Sequence, residues 1–214
     1  MLPYSAEVLY ALFGHYNQAI WPVPALFLIL AAVIVALALR PVPRAGRVAG
    51  LILVLAWIWT AIGFHWLYFA QINLAAGGYA ALFALQGLVL AWSLVLKGRA
   101  TFKLDRSPVA LAALAVMICA LFIYPALDWW AGHPWPQWRL FGTAPGPTML
   151  FTLGVLLLAR PRAPYHLLAI PVLWLVIDAW SAWVLGMTQD FIPATIALVA
   201  ALGVLRQSRR SVEQ

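Results

Sequence analysis

Seven stretches of this chain are apolar over most or all of the length needed to cross a lipid bilayer, and nearly every charge lies between them. They run over Trp21–Leu39, Val48–Phe69, Ala75–Leu96, Pro108–Leu127, Pro145–Ala159, Tyr165–Gly186 and Phe191–Leu205. A bilayer core of roughly 30 Å takes about 20 apolar residues of helix. Lipid offers the backbone no hydrogen-bond partner, so a crossing segment is either a helix or a strand of a closed barrel. Barrel strands run about 9–11 residues with alternating polarity. These stretches are longer and uniformly apolar. The expectation is an all-α polytopic membrane protein with seven transmembrane helices filling residues 21–205.

Composition removes the soluble alternatives. Hydrophobic residues make up 65% of the 214 and charged residues 9%, against about 45–50% and about 25% in soluble domains. So few charges cannot coat a globular surface in water. Cys119 is the single cysteine, so no internal disulfide or paired-cysteine motif can form. Thirteen Lys and Arg against six Asp and Glu give a net charge of +7. A nucleic-acid module would cluster such charge on a soluble fold, and no nucleic-acid partner is expected here.

The basic residues mark sides instead. Arg40, Arg44 and Arg47 follow the first stretch, and Lys97, Arg99, Lys103 and Arg106 follow the third. Arg160 and Arg162 follow the fifth, and Arg206, Arg209 and Arg210 follow the seventh. The alternate loops hold only Arg139, with Glu7, Asp128 and Asp190. Cytoplasmic loops carry the excess of Lys and Arg. The expected orientation therefore has the N-terminus outside and the C-terminus cytoplasmic, in a bacterial inner membrane. Residues 206–214 are expected to form a basic cytoplasmic tail. Membrane lipid is one expected partner, and the sequence leaves oligomerisation open.

Residues 1–20 carry no basic stretch ahead of Trp21, so a cleaved signal peptide is not expected. Ser5 suits a helix N-cap. Leu9, Leu12, Phe13, Tyr16 and Ile20 share one helical face, with Glu7, His15 and Asn17 off it. The segment reads as an interfacial amphipathic helix or as an extension of the first span. The loop from Asp128 to Thr143 is rich in Trp and is expected to fold back over the bundle as a cap.

The first stretch opens with Trp21-Pro22-Val23-Pro24 and the fifth is entered by Ala144-Pro145-Gly146-Pro147. Each closes on an Arg-Pro pair. This admits a parallel repeat of two three-helix units joined by the fourth helix, a 3+1+3 layout similar to SWEET sugar transporters. Proline at helix starts and basic inner loops would also produce the likeness without a repeat.

Polar groups inside apolar spans are costly and mark candidate sites. Asp178 in the sixth stretch can hold a proton or cation, or sit neutral in a packed bundle. His65 can bind solute or shuttle protons, though a lone histidine on an apolar helix is commonly a core residue. Gln86 can line a pathway or bond helices together. Pro145 and Pro147 suggest a fifth helix that starts only near Pro147 or Thr148, its free amides and the Thr148 and Thr152 hydroxyls facing a cavity. Asn73, Tyr124 and His133 complete a candidate solute-binding group toward the outer side. His65 and His133 lack a third ligand at metal-like spacing, so neither metal nor cofactor is expected.

These residues also carry a likeness. Tyr16-Asn17 with Trp21-Pro22, the stretch from Trp57 to Asn73, Gln86-Gly87, Tyr124-Pro125, Gly132-His133 with Pro136, Phe141-Gly142, Pro145 with Pro147-Thr148, and Phe151-Thr152 occur in order. Together they resemble a family of small bacterial membrane proteins known as a domain of unknown function, some members of which bear the label transporter permease. The family pattern often has Cys between the two prolines, where this chain has Gly146. The resemblance implies a multi-pass membrane protein and supplies no substrate. The leading expectation is binding or transport of a small solute or proton through an outward polar pocket. The alternatives are a membrane-embedded enzyme or cofactor protein using His65 and His133, and an assembly partner without a small-molecule site. No enzyme motif occurs, so an enzyme is the weaker expectation.

Overall fold

The computed structural model describes residues 2–40, 42–98, 100–160 and 162–209. Among the described residues the regular structure is helical apart from one two-residue ladder. Of the basic residues that set the expected orientation, Arg99 and Arg210 lie outside the described residues, as do positions 211–214 of the expected tail.

Helix α1 covers Ala6–Ala19 and α2 covers Val23–Leu39. Ser5 caps α1, its Oγ accepting from the Val8 amide at 3.4 Å. The two helices meet at 85°. Helix α3, Ala45–Trp59, runs on into a π-helical stretch over Thr60–Trp66. Helix α4, Ala76–Leu90, continues likewise over Ala91–Leu96. Helix α5, Pro108–Ile118, starts on Ser107, whose Oγ accepts from the Ala110 amide at 3.2 Å, with Pro108 in the first turn. Pro125 has no amide to give the helical ladder. The preceding residues Cys119–Ile123 take wider π turns, and α6 follows over Tyr124–Trp130. Helices α7, α8 and α9 cover Pro145–Leu157, Ala169–Leu185 and Phe191–Arg209. Gly186, at φ 71°, ends α8 in the left-handed conformation glycine takes freely.

Five helical segments are long and apolar enough to cross a membrane: Ala45–Gln71, Ala76–Leu96, Pro108–Trp130, Tyr165–Leu185 and Thr188–Arg206. The bent pair α1–α2 would make a sixth. Helix α7 is apolar but has only 13 residues.

Helix α7 is the axis of the bundle, and all its residues are buried. It packs on α5, α8 and α9, and Trp57 Nε1 of α3 donates to Thr152 Oγ1 at 2.9 Å. The Gly154 Cα lies so close to α5 that a Cβ would stand 2.7 Å from Met117 Cγ. In lipid this close packing, rather than expulsion of water, drives helices together. The two candidate three-helix units pack differently. Helix α7 lies against both α8 and α9, whereas α2 lies against α3 without a comparable face on α4.

The basic loops gather at one end. Strand β1, Thr101–Phe102, pairs antiparallel with β2, Ala159–Arg160, with Thr101 opposite Arg160. The Leu104 amide donates to Ala38 O at 2.9 Å, bringing the end of α2 to the same place. At the opposite end α1 crosses the bundle beside the segment 131–144. Asn17, placed off the apolar face by its polarity, is buried there, and its Nδ2 donates to Pro136 O at 2.6 Å and Trp138 O at 2.7 Å.

One expectation is corrected. The fifth helix begins at Pro145 rather than near Pro147 or Thr148, and the Thr148 amide already donates to Ala144 O at 3.2 Å. Proline suits the first helical turn because amides there have no helical partner anyway.

Candidate functional site

Where α1 crosses the bundle, a cavity of about 50 Å³ lies among α1, α3, α4, α6, the head of α7 and α8. Its wall on the α3 side is His65, carried by the π-helical stretch. Such stretches recur at functional sites because the extra residue per turn re-aims a side chain. The His65 ring is 0% exposed. Phe83 and Trp174 flank it with ring centroids at 4.7 and 5.1 Å, and Phe64, Phe69 and Tyr79 stand within 6 Å. Neither ring nitrogen has a hydrogen-bond partner. Trp174 Nε1, on the same cavity wall, has none either. Leaving a buried polar group unpaired costs about 1–3 kcal/mol.

Asp178 lines the cavity one helical turn beyond Trp174 on α8. The Tyr124 hydroxyl donates to Asp178 Oδ2 at 3.3 Å. Gly146 makes room for that pair, because a Cβ there would stand 2.3 Å from the Tyr124 hydroxyl and 3.2 Å from Asp178 Oδ2. Tyr4 reaches the cavity from ahead of α1. Burial, with the neighbouring Tyr79, pushes its hydroxyl up to about 12 against a hydrogen bond from Asn73, so it stays a protonated donor near neutral pH.

An ion cluster closes one side. Arg139, 5% exposed, ion-pairs with Asp128 and with Asp190. Its Nε donates to Asp128 Oδ1 at 3.0 Å and its Nη2 to Asp190 Oδ1 at 2.8 Å. Tyr10 accepts from Arg139 Nη2 at 3.0 Å and donates to Asp128 Oδ1 at 3.0 Å. The guanidinium also stands 4.8 Å from the centroid of the Tyr124 ring. Charged groups packed this deeply persist only when paired on several sides. Arg139 and Asp190 line the cavity with Asp178.

The structure thus brings His65, Tyr124 and Asp178 to one cavity. The other candidates are used elsewhere. Asn73 Oδ1 accepts from the Ala75 amide at 2.9 Å and so shapes the entry to α4. Gln86 Nε2 donates to Leu167 O at 3.0 Å, joining α4 to the turn ahead of α8. Thr148 Oγ1 accepts from the Gly142 amide at 2.9 Å and donates to Ala144 O at 2.7 Å. Thr152 Oγ1 donates to Thr148 O and accepts from Trp57. His133 stacks on Tyr10 with centroids 3.4 Å apart, and its Nδ1 lies 3.1 Å from Gln137 Oε1. None of these five lines the cavity. Among the described residues no group of three His, Cys, Asp or Glu side chains is placed to hold a metal ion.

Polarity within the apolar stretches did not point to the Arg139 cluster, Tyr4 or Trp174. A signal for the cluster was present: Arg139 is the lone basic residue on its side, among three acids of which two are its partners.

Comparison with curated proteins gave no match, and comparison with solved structures gave none. A family model described as a family of unknown function, DUF6064, matches residues 6–213. With that match covering nearly its whole length, the chain belongs to the DUF6064 family of unknown function.

Proposed function

We propose that this protein is a seven-span membrane protein of the bacterial inner membrane, N-terminus outside, that binds a small hydrogen-bonding solute or a proton near its outer face. Five of the crossings in this reading are the five long helices, and the sixth is α2, the apolar half of the bent pair. The seventh is residues 139–157. Helix α7 alone covers roughly 20 Å at about 1.5 Å per residue, short of a core of about 30 Å. The non-helical residues 139–144 ahead of it are buried. Irregular backbone is tolerated at membrane depth where protein surrounds it. The gathering of the basic loops at one end supports the orientation, and α1 would then lie along the outer interface.

The observation that carries the binding reading is the unpartnered, fully buried His65 on the wall of a cavity shared with Asp178. The charge balance narrows the ligand. One guanidinium, Arg139, stands against three carboxyls, its partners Asp128 and Asp190 and the cavity-lining Asp178, so the site favours a proton or a small cationic or donor-rich solute over an anion. The size narrows it further. At roughly 10–15 Å³ per water-sized occupant, the cavity holds a few such units and no sugar in this conformation. Transport would require the helices to move, because α7 fills the centre of the bundle.

A thermal-shift screen of purified protein tests the reading. Ammonium, methylammonium, guanidinium and alkali cations form one set, acetate and formate a second, and sugars a third. Stabilisation by a member of the first set, lost in Asp178→Asn and in His65→Leu, is the expected result. A shift that survives both substitutions, or none at all between pH 5 and pH 8, overturns it.

A further inference from the structure

A second concavity lies at the basic end, between α5 and α9, remote from the cavity that holds His65. It measures about 820 Å³. Helices α5 and α9 each pack on α7 and touch one another, and the concavity runs along α5 as far as Val116 and along the later half of α9, with Leu157 of α7 between them. The walls are apolar: Val109, Ala112 and Val116 from α5, and Val199, Leu202 and Gly203 from α9. Gly203 lets α9 approach the floor of the cleft closely, since a Cβ there would stand 3.1 Å from Leu157 Cδ2.

The rim is of opposite character. Arg160, Arg162 and Arg206 converge there from the α7–α8 connection and from α9, with Ser107 at the start of α5. Among the described residues the ion pairs belong to Arg139, so none of these three arginines is spent on one. Among the described residues, the acid that interacts with this rim is Asp105, whose carboxyl lies below its ordinary range mainly through hydrogen bonds from Ser107, with Arg160 and Lys103 adding. Among the described residues the rim therefore keeps a surplus of about two positive charges.

We propose that this cleft binds an anionic phospholipid, its phosphate held by Arg160, Arg162 and Arg206 and an acyl chain lying between α5 and α9. An aqueous anion would use the rim and leave the apolar walls uncovered, whereas a zwitterionic lipid would waste the surplus charge. Arginine suits phosphate because its planar fork offers paired donors. Basic pockets between helices are a recurrent way of holding acidic headgroups. The proposal rests on the chain lying in a membrane, and not on which side its basic end faces.

Native mass spectrometry of the full chain in detergent, titrated with phosphatidylglycerol or with phosphatidylcholine of the same acyl chains, tests it. Phosphatidylglycerol is expected to bind at least tenfold more tightly. Each Arg→Gln substitution at 160, 162 or 206 should cost about fivefold in that preference. Val199→Trp, at an exposed position that cannot disturb the core, should block the cleft and lower binding of phosphatidylglycerol with all three arginines present. Equal binding of the two lipids overturns the proposal, as does a preference that survives the triple arginine variant. So does a dimer that Val199→Trp dissociates, which would make a second copy the occupant. Melting curves of each variant separate loss of the site from loss of the fold.

Discussion

The Tyr124 hydroxyl and Asp178 Oδ2 meet at 3.3 Å directly against the Cα of Gly146, so three separate helices share one point of contact. A methyl group at Gly146 would overlap the hydroxyl. Gly146→Ala is expected to cost about 1–3 kcal/mol by overpacking. Removing the oxygen with Tyr124→Phe should recover part of that loss, and a double-mutant cycle on melting should show coupling of about 0.5–3 kcal/mol. Strict additivity would mean the two residues do not share this space.

Arg139 holds two buried carboxylates. Arg139→Met leaves both Asp128 and Asp190 without their cation, and the expected loss is about 3–5 kcal/mol. Asp128→Asn with Asp190→Asn in the Arg139→Met background should restore folded yield, because neutral amides can remain buried. Folded yield in detergent by size-exclusion chromatography reads both. A stable Arg139→Met single variant would show that the cluster contributes nothing to the fold.

His65 behaves oppositely. Among the described residues its ring has no hydrogen-bond partner, so His65→Leu removes no native bond and eliminates an unsatisfied group. Stability should stay within about 1.5 kcal/mol of the parent, as for volume-conserving core changes. Ligand-induced stabilisation should disappear. A large fall in melting temperature without ligand would instead make His65 a packing residue.

Orientation is checked by labelling. In a Cys119→Ala background, the exposed positions Ala131→Cys and Arg106→Cys lie at opposite ends of the fold. An impermeant maleimide applied to intact spheroplasts should label the first. The second should react only after permeabilisation. The reverse pattern refutes an outer N-terminus.

Much of the fold could be read in the residues because lipid is a demanding solvent. Val48–Phe69 and Ala75–Leu96 announced themselves by length and apolarity, and Ser5, Ser107 and Pro108 marked helix starts by ordinary capping chemistry. Pro145-Gly146-Pro147 misled for a physical reason. Two prolines near a helix start suggest a delayed first turn, yet proline fits that turn without loss. An apolar run also does not reveal whether lipid or protein will surround it, so nothing in Pro145–Ala159 distinguished the bundle axis from a peripheral span. The site was readable only as polarity. His65, Gln86, Thr148 and Asp178 send the same signal from inside apolar stretches, but Thr148 is bonded to its own helix entry, Gln86 spends its amide nitrogen on Leu167 O across the bundle, and neither His65 nitrogen is bonded. Polarity reports the cost of a group, and only the folded structure reports its partner.

Helix α7 has no surface to offer lipid, and this bears on how the chain is synthesised. A 13-residue helix enclosed on every side cannot wait in the bilayer as a finished element. Its stable setting exists only once α8 and α9, which emerge later, have closed against it. A chain released after Arg162 should therefore leave residues 139–158 exposed to protease in isolated membranes, whereas the full chain protects them. Protection of that segment in the shortened chain would show that α7 inserts without company.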